Sequence, residues 1–240
     1  VLNEKYMSEG EVQFFDSTLV IIPARKDSQG LPGKNKRMFV GKPLYQHTLD
    51  LALSIFPPES VVVTTDDEDI LSGSEGKCRV IKRPSHLATG DTPMNAVIRH
   101  VLEQTPGKFW GLLMQPTTPF RRKTDILSSE KLLHTIPAPE GVFSVLQSKQ
   151  VPGYTLFQSN ASGALEMQSS SVYGRQQAPT WWALNGSLYW FNIKAFLDKD
   201  ALSALSPVLP YEMGLRESLD IDTEEDWKLA EWMSLQLENE

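Results

Sequence analysis

Cysteine is almost missing from this 240-residue chain. Cys78 stands alone, so no internal disulfide can form and a cysteine-based metal site fails on count. Long apolar runs are missing too. The longest, residues 18–24 and 109–114, are of strand length and fall far short of the roughly 20 residues that cross a bilayer, so no membrane span is expected. The four histidines (His47, His86, His100, His134) have no metal-ligand spacing. Neither a GxxxxGK run followed by Ser or Thr nor a GxGxxG run occurs, which removes a Walker loop and a dinucleotide fingerprint. Residues 1–17 carry Glu4, Glu9, Glu11 and Asp16 and lack the basic start and apolar core of a secretory signal. With a single thiol as well, a reducing cytoplasm is the expected compartment. Positive charge is also in deficit. The formal charge of −7 repels a polyanion over most of the surface, which argues against general nucleic-acid binding but leaves room for a local basic pocket.

What is present is an ordinary globular balance, with 40% hydrophobic and 22% charged residues, which excludes disorder as the main state. The length fits one large domain, or one domain with an excursion. Residues 18–23 (TLVIIP) form a continuous β-branched run of the kind buried on both faces of a parallel sheet. The pattern predicts further strands at 61–65, 79–82 and 109–115. Helices are expected from Leu44 to a stop at Pro57 and Pro58, and over 66–71, 92–104 and 123–134. Strands alternating with helices imply right-handed βαβ units and a mostly parallel sheet. From Val142 the rhythm changes to short alternating stretches separated by Pro, Gly, Ser and Asn, as in hairpins, and residues 148–180 read as an antiparallel excursion. An amphipathic helix from Glu224, with Trp227, Leu229, Ala230, Met233 and Leu237 on its apolar face, closes the chain.

Ligands of open α/β sheets bind at the carboxyl ends of the strands, so the loop after the first strand is the first candidate. It holds five cations (Arg25, Lys26, Lys34, Lys36, Arg37) against one anion (Asp27). Gly30 and Gly33 let a ligand approach the backbone N–H groups, while Arg25 and Lys34 can supply the charge a polyphosphate needs. The bland alternative is a solvated basic loop. A second candidate is Asp220-Ile221-Asp222. In an extended segment residues i and i+2 share a face, so both carboxylates can hold one hard cation such as Mg²⁺ together with substrate phosphates. A plain reading of the acids that follow is a helix start capped by Thr223 with Asp226 three residues on, which leaves Asp220 and Asp222 unexplained. Gln115 ends a strand before two prolines, and Arg83 precedes Pro84. Taken singly, each is equally at home as a bonded polar residue or a surface cation, and Trp181 and Trp182 read as core or interface aromatics.

Six ordered blocks resemble the acylneuraminate cytidylyltransferases, also called CMP-sialic acid synthetases. They are IIPARKDSQGLPGKN, VVVTTDDEDI, RPSHLA, LLMQPTTPFR, NGSLYWF and SLDIDTEEDW, and they run from about Leu19 to Glu231. The resemblance implies a Rossmann-like nucleotidyltransferase core over residues 18–240 behind an N-terminal extension at 1–17, with an antiparallel arm at about 148–180 that makes a homodimer. It further implies transfer of CMP from CTP to a nonulosonic (sialic-acid-like) sugar acid, or a relative such as legionaminic or pseudaminic acid, with Mg²⁺ as cofactor and pyrophosphate as product. By motif, Arg25 and Lys34 would hold the triphosphate, with Asn35 and Arg83 at the cytidine. Gln115, Arg175, Asn185 and Tyr189 would line the sugar acid, and Asp220 and Asp222 would carry the metal. The loop departs from the family pattern, with Gln29 in place of its lysine and Asp27 in place of a glycine. That departure supports one alternative, a catalytically weak nucleotide-binding or regulatory module of the same fold.

Overall fold

The computed structural model describes residues 14–28, 30–148, 156–159, 165–167 and 179–237. Its frame is a seven-stranded sheet in which neighbours follow the order 208–212, 141–147, 182–192, 110–113, 18–23, 61–65 and 79–82. The strands are β1 (Thr18–Pro23), β4 (Val61–Thr65), β5 (Arg79–Lys82), β6 (Trp110–Leu113), β7 (Gly141–Gln147), β10 (Trp182–Asn192) and β11 (Val208–Glu212). The pairs β1/β4, β1/β6, β4/β5 and β11/β7 are parallel, and β10 alone runs against its two neighbours. The mostly parallel sheet expected from the sequence is therefore present.

β1 shows why the run TLVIIP forms a strand rather than a helix turn. Every residue from Thr18 to Pro23 is buried, with Val20 and Ile22 facing one cluster and Leu19 and Ile21 facing the other. β-branched side chains suit a pleat covered on both faces. The first cluster lies under α1 (Leu44–Leu53) and α4 (Lys123–Leu132), and includes Leu49, Ile126 and the fully buried Trp190, whose indole N–H donates to Ser129 Oγ at 3.0 Å. The second lies under α3 (Met94–Gln104) and α5 (Ile193–Lys199), with Ile98, Val101 and Phe196. Between β4 and β5, α2 (Glu68–Ser74) starts on Asp67, whose carboxylate accepts from Asp69 N–H at 2.9 Å.

The alternating stretches at 142–147 and 187–191 are strands, as expected: they form β7 and β10, an adjacent antiparallel pair, and the sheet places both inside its main frame. Alternation shows that these stretches are strands but not which strands lie beside them. β11 and α5 lie where no element was expected. Within the excursion, only a short antiparallel pair, β8 (Phe157–Ser159) with β9 (Leu165–Met167), falls among the described residues. The remaining small elements are β2 (Met38–Phe39) and β3 (Lys42–Pro43), which pair beside the basic loop, and α6 (Glu224–Leu237), which closes the chain.

The antiparallel β10 matters for function. Tyr189 sits opposite Leu113, so the start of β10 lies beyond the carboxyl end of β6, where a Cβ on Gly186 would stand 3.6 Å from the Gln115 side chain. A parallel strand would have placed its last residues there instead.

Candidate active site

At the carboxyl edge of the sheet lies a cavity of about 500 Å³. Arg25, Lys34, Asn35, Arg83, Gln115, Asp220 and Asp222 all line it. These seven come from four segments of the sequence, and the crossovers of the sheet bring them together.

The basic loop leaves β1 at Pro23 and makes one short turn over Lys34–Lys36, entered through Gly33 at φ 66°. That left-handed value suits glycine. Arg25 donates from Nη1 to the Thr89 carbonyl at 2.8 Å, and Asn35 donates from Nδ2 to the Arg25 carbonyl at 2.9 Å. Asn35 Oδ1 is buried without a hydrogen-bond partner among the described residues. Arg83, the residue after β5, is buried and donates to the Thr64 carbonyl at 2.9 Å. Burial pulls its pKa down to about 10, with Asp66 opposing, and its Nε finds no partner among the described residues. A guanidinium with unspent donors at a cavity wall can bind an acceptor.

The second half of the site is the segment 219–222, which belongs to no helix or strand. Ile221 is fully buried and its N–H donates to the Thr117 carbonyl at 2.8 Å, which turns Asp220 and Asp222 to the cavity. Their environments differ. Burial pushes the Asp220 carboxyl above its usual range, against a hydrogen bond from Thr117; the charge of Asp222 adds to the rise and Lys34 offsets part of it. Among the described residues Asp220 Oδ1 has no hydrogen-bond partner. Asp222 is exposed and ion-paired with Lys34 at 2.6 Å, while Lys34 also donates to the Ile221 carbonyl at 2.7 Å. The loop and the segment are so close that a Cβ on Gly30 would stand 2.3 Å from the Asp222 carbonyl oxygen, which leaves glycine as the residue that fits. The helix start reads as expected: Thr223 N–H donates to Asp226 at 2.8 Å and Asp226 N–H to Thr223 Oγ1 at 3.2 Å.

Asn185 and Tyr189 stand behind this wall. The Asn185 amide oxygen accepts from Ser144 Oγ and from Ser187 N–H at 3.1 Å, and its Nδ2 donates to Ser218 at 2.9 Å, so most of its polar capacity is spent on the protein. Tyr189 packs edge-on against Phe143, and burial raises its hydroxyl pKa. Gly186 lies between them at φ 74°, where a Cβ would touch Asp220 and Gln115 at 3.4 and 3.6 Å. Arg175 and Gln29 fall outside the described residues.

Sequence reasoning assigned no role to Arg121. Its guanidinium is buried and donates to the carbonyls of Gln115 and Ser187 and to Thr48 Oγ1 at 3.1 Å. Burial pulls its pKa down to about 9, with Asp220 the opposing charge. It ties together the strand end, the start of β10 and the Asp220 surroundings. A single arginine after Pro-Phe carries no local mark of this. Among the described residues no group of three or more His, Cys, Asp or Glu gathers as a self-sufficient metal cage. The two carboxylates are the hard-oxygen donors available.

The family model described as Cytidylyltransferase matches residues 19–135, from β1 through the QPTTPFR turn and α4. The chain is 33% identical over 226 residues to the CMP-N,N'-diacetyllegionaminic acid synthase of Legionella pneumophila, covering 89% of this chain and 94% of that one. It is also 33% identical over 216 residues to the N-acylneuraminate cytidylyltransferase of Escherichia coli, covering 88% of this chain but 51% of that protein. The chain thus spans about half the length of the Escherichia coli relative, and the same 51% holds for that of Streptococcus agalactiae. Among solved structures, a CMP:2-keto-3-deoxy-manno-octonic acid synthetase complexed with CTP superposes with a TM-score of 0.67 at 18% identity, covering 91% of this chain and 98% of the other. That likeness establishes the fold. With the sheet, the basic loop and the identity over nearly the full length of the Legionella relative all in agreement, this chain belongs to the cytidylyltransferase family.

Proposed function

We propose that the chain transfers CMP from CTP to a nonulosonic acid and releases pyrophosphate. One observation carries the reading: a single cavity sets Arg25 and Lys34 on one side against Asp220 and Asp222 on the other, as binding a polyanion and a hard cation together requires. The names of the Legionella and Escherichia coli relatives supply the sugar-acid class.

Arg25, Lys34 and the loop backbone bind the triphosphate, and Arg83 and Asn35, each with an unspent polar atom, take the cytidine. Gln115, Asn185, Tyr189 and Arg175 form the sugar side. The anomeric oxygen of the acid forms a bond to the α-phosphorus as the bond from that phosphorus to the pyrophosphate oxygen breaks, and the hydroxyl proton is released. The chain contributes positioning and charge neutralisation. Asp220 and Asp222 fit Mg²⁺: both are hard oxygen donors on one wall, and Asp220 Oδ1 is a buried acceptor with no partner among the described residues. When bound, the ion supplies Lewis-acid neutralisation of phosphate charge. Asp222 pairs with Lys34, so a bound triphosphate would compete with that carboxylate for the lysine.

The arm makes a homodimer in this reading. Trp182 is 40%, Leu184 60% and Leu156 46% exposed at its base, an apolar surface suited to a second copy. The cytoplasm remains the proposed compartment, and no described helix is long and apolar enough to cross a membrane.

Pyrophosphate release from CTP, measured with a panel of nonulosonic acids and Mg²⁺, tests the proposal. Turnover with at least one acid is expected. CTP binding without turnover on any of them would replace it with the weak nucleotide-binding module to which Gln29 and Asp27 point.

A further inference from the structure

Beneath the cavity, the basic loop and the carboxylate segment share a small core of their own. Leu31, Phe39 and Leu44 pack with Ile221, Trp227 and Ala230 in a cluster separate from the two on the sheet. At its rim Arg37 donates through both terminal nitrogens to the two oxygens of Glu224, at 2.6 and 2.9 Å. The guanidinium carbon lies 4.2 Å from the Trp227 ring centroid. Neither Arg37 nor Glu224 lines the cavity. Yet each closely follows a proposed ligand group, Arg37 after Lys34 and Asn35, and Glu224 after Asp222.

The carboxylate segment has no ladder to fix it. Its other tethers are the Leu219 and Ile221 side chains, the Thr117 carbonyl and side chain, Asp226, which accepts from Asp222 N–H at 3.1 Å, and Lys34, and Lys34 is the one for which a bound triphosphate would compete. A fork-to-fork pair sets an angle as well as a distance, which a point charge cannot do, and stacking on an indole limits it further. Side chains 37% and 44% exposed contribute little to folding stability. What the pair adds is geometry.

Resting on the nucleotidyl-transfer reading above, we infer that Arg37 and Glu224 are positioning residues. Their fork, braced on Trp227, fixes the basic loop against the Asp220–Asp222 segment, so that cations and carboxylates reach the triphosphate in one arrangement while it competes for Lys34.

The test uses the full chain with Arg37→Met, Glu224→Gln, the double variant and Arg37→Lys, assayed well below the melting midpoint of each. Either single variant should lower kcat by about 10- to 100-fold and weaken CTP binding with Mg²⁺ by about fivefold in calorimetry, while the sugar-acid KM stays within about twofold, as for a displaced catalytic segment. The double variant should be no worse than the poorer single one, and Arg37→Lys should recover only part of the loss. A lowered melting midpoint with kcat and CTP affinity near wild type, or losses that simply multiply in the double variant, would overturn the inference. Should the wild-type chain turn over no acid at all, the transfer reading fails. CTP titration alone then decides the clamp, and unchanged affinity in Arg37→Met would sink it.

Discussion

On the side of the cavity built by residues 24–37 and 220–227, the candidate groups are tied to one another within the chain. Lys34 reaches Asp222, Asn35 reaches the Arg25 carbonyl, Gly30 lies against the Asp222 backbone and Arg37 grips Glu224. On the side built by β7 and the start of β10, Asn185 has turned its amide inward, and the strand ends run out to the exposed side chains of Trp182 and Leu184. The difference teaches that the first side is closed by contacts within one chain, whereas the second runs out to exposed apolar side chains. Under the proposed function the first is the nucleotide side and the second the sugar side, which a second copy would cover.

The largest effect expected from sharpening this comparison falls on the carboxylates. Asp220→Asn and Asp222→Asn should each cut turnover by about 100-fold or more, measured as pyrophosphate release. Folding should survive. Burial raises the Asp220 pKa, so the native state holds its proton more tightly than the unfolded chain, and stability falls as pH rises from the ordinary value of 3.8 through the raised one. At neutral pH the asparagine removes that penalty, and the Asp220→Asn melting midpoint should be no lower than that of wild type.

Gly30→Ala comes next, because its Cβ would meet backbone rather than a movable side chain. A loss of about tenfold or more in CTP affinity is expected, with about 1–3 kcal/mol of stability. Normal CTP binding in this variant would show that the two segments can part without cost, and the comparison would break there.

Paired replacement of Trp182 and Leu184 by serine probes the opposite side. Light scattering should report monomers, with the sugar-acid KM raised by about tenfold and CTP affinity within about twofold, since apolar anchors carry most interface energy. A wild-type monomer with full activity would contradict the division into two halves.

The smallest effect concerns His47, which packs edge-on against Phe39 and whose Nε2 lies 2.7 Å from the Phe39 carbonyl. Burial lowers its pKa, so the unfolded chain binds the proton more readily and stability falls as pH drops through the range below 6.5. His47→Gln should flatten the loss seen in melts between about pH 7 and pH 5.

Much of the site was legible because local chemistry marks it. Glycines among cations and two carboxylates before a helix cap mark the loop and the segment locally, whereas Gln115 and Arg83, each ambiguous alone, were placed by the ordered blocks of the family resemblance. Arg121 and Arg37 were not legible as site-shaping residues, because a single arginine looks the same in sequence whether it ends in solvent, under a cavity or on an indole. Residues 142–147 and 187–191 show the corresponding limit for the fold. Alternation identifies a strand, but its place in a sheet depends on partners far away in the chain.

Sequence by itself determined the α/β class, the strand at Thr18–Pro23, the cap at Thr223 and the residue types at the site, since these follow from periodicity and from chemistry within a few residues. Tertiary structure alone decided that β10 runs against the sheet and brings Gly186 beside Gln115, that Lys34 is held by Asp222, and that the half-buried Asp220 faces the charge of the buried Arg121. Such features depend on which distant segments share one low-dielectric space, and that is set by packing over the whole chain.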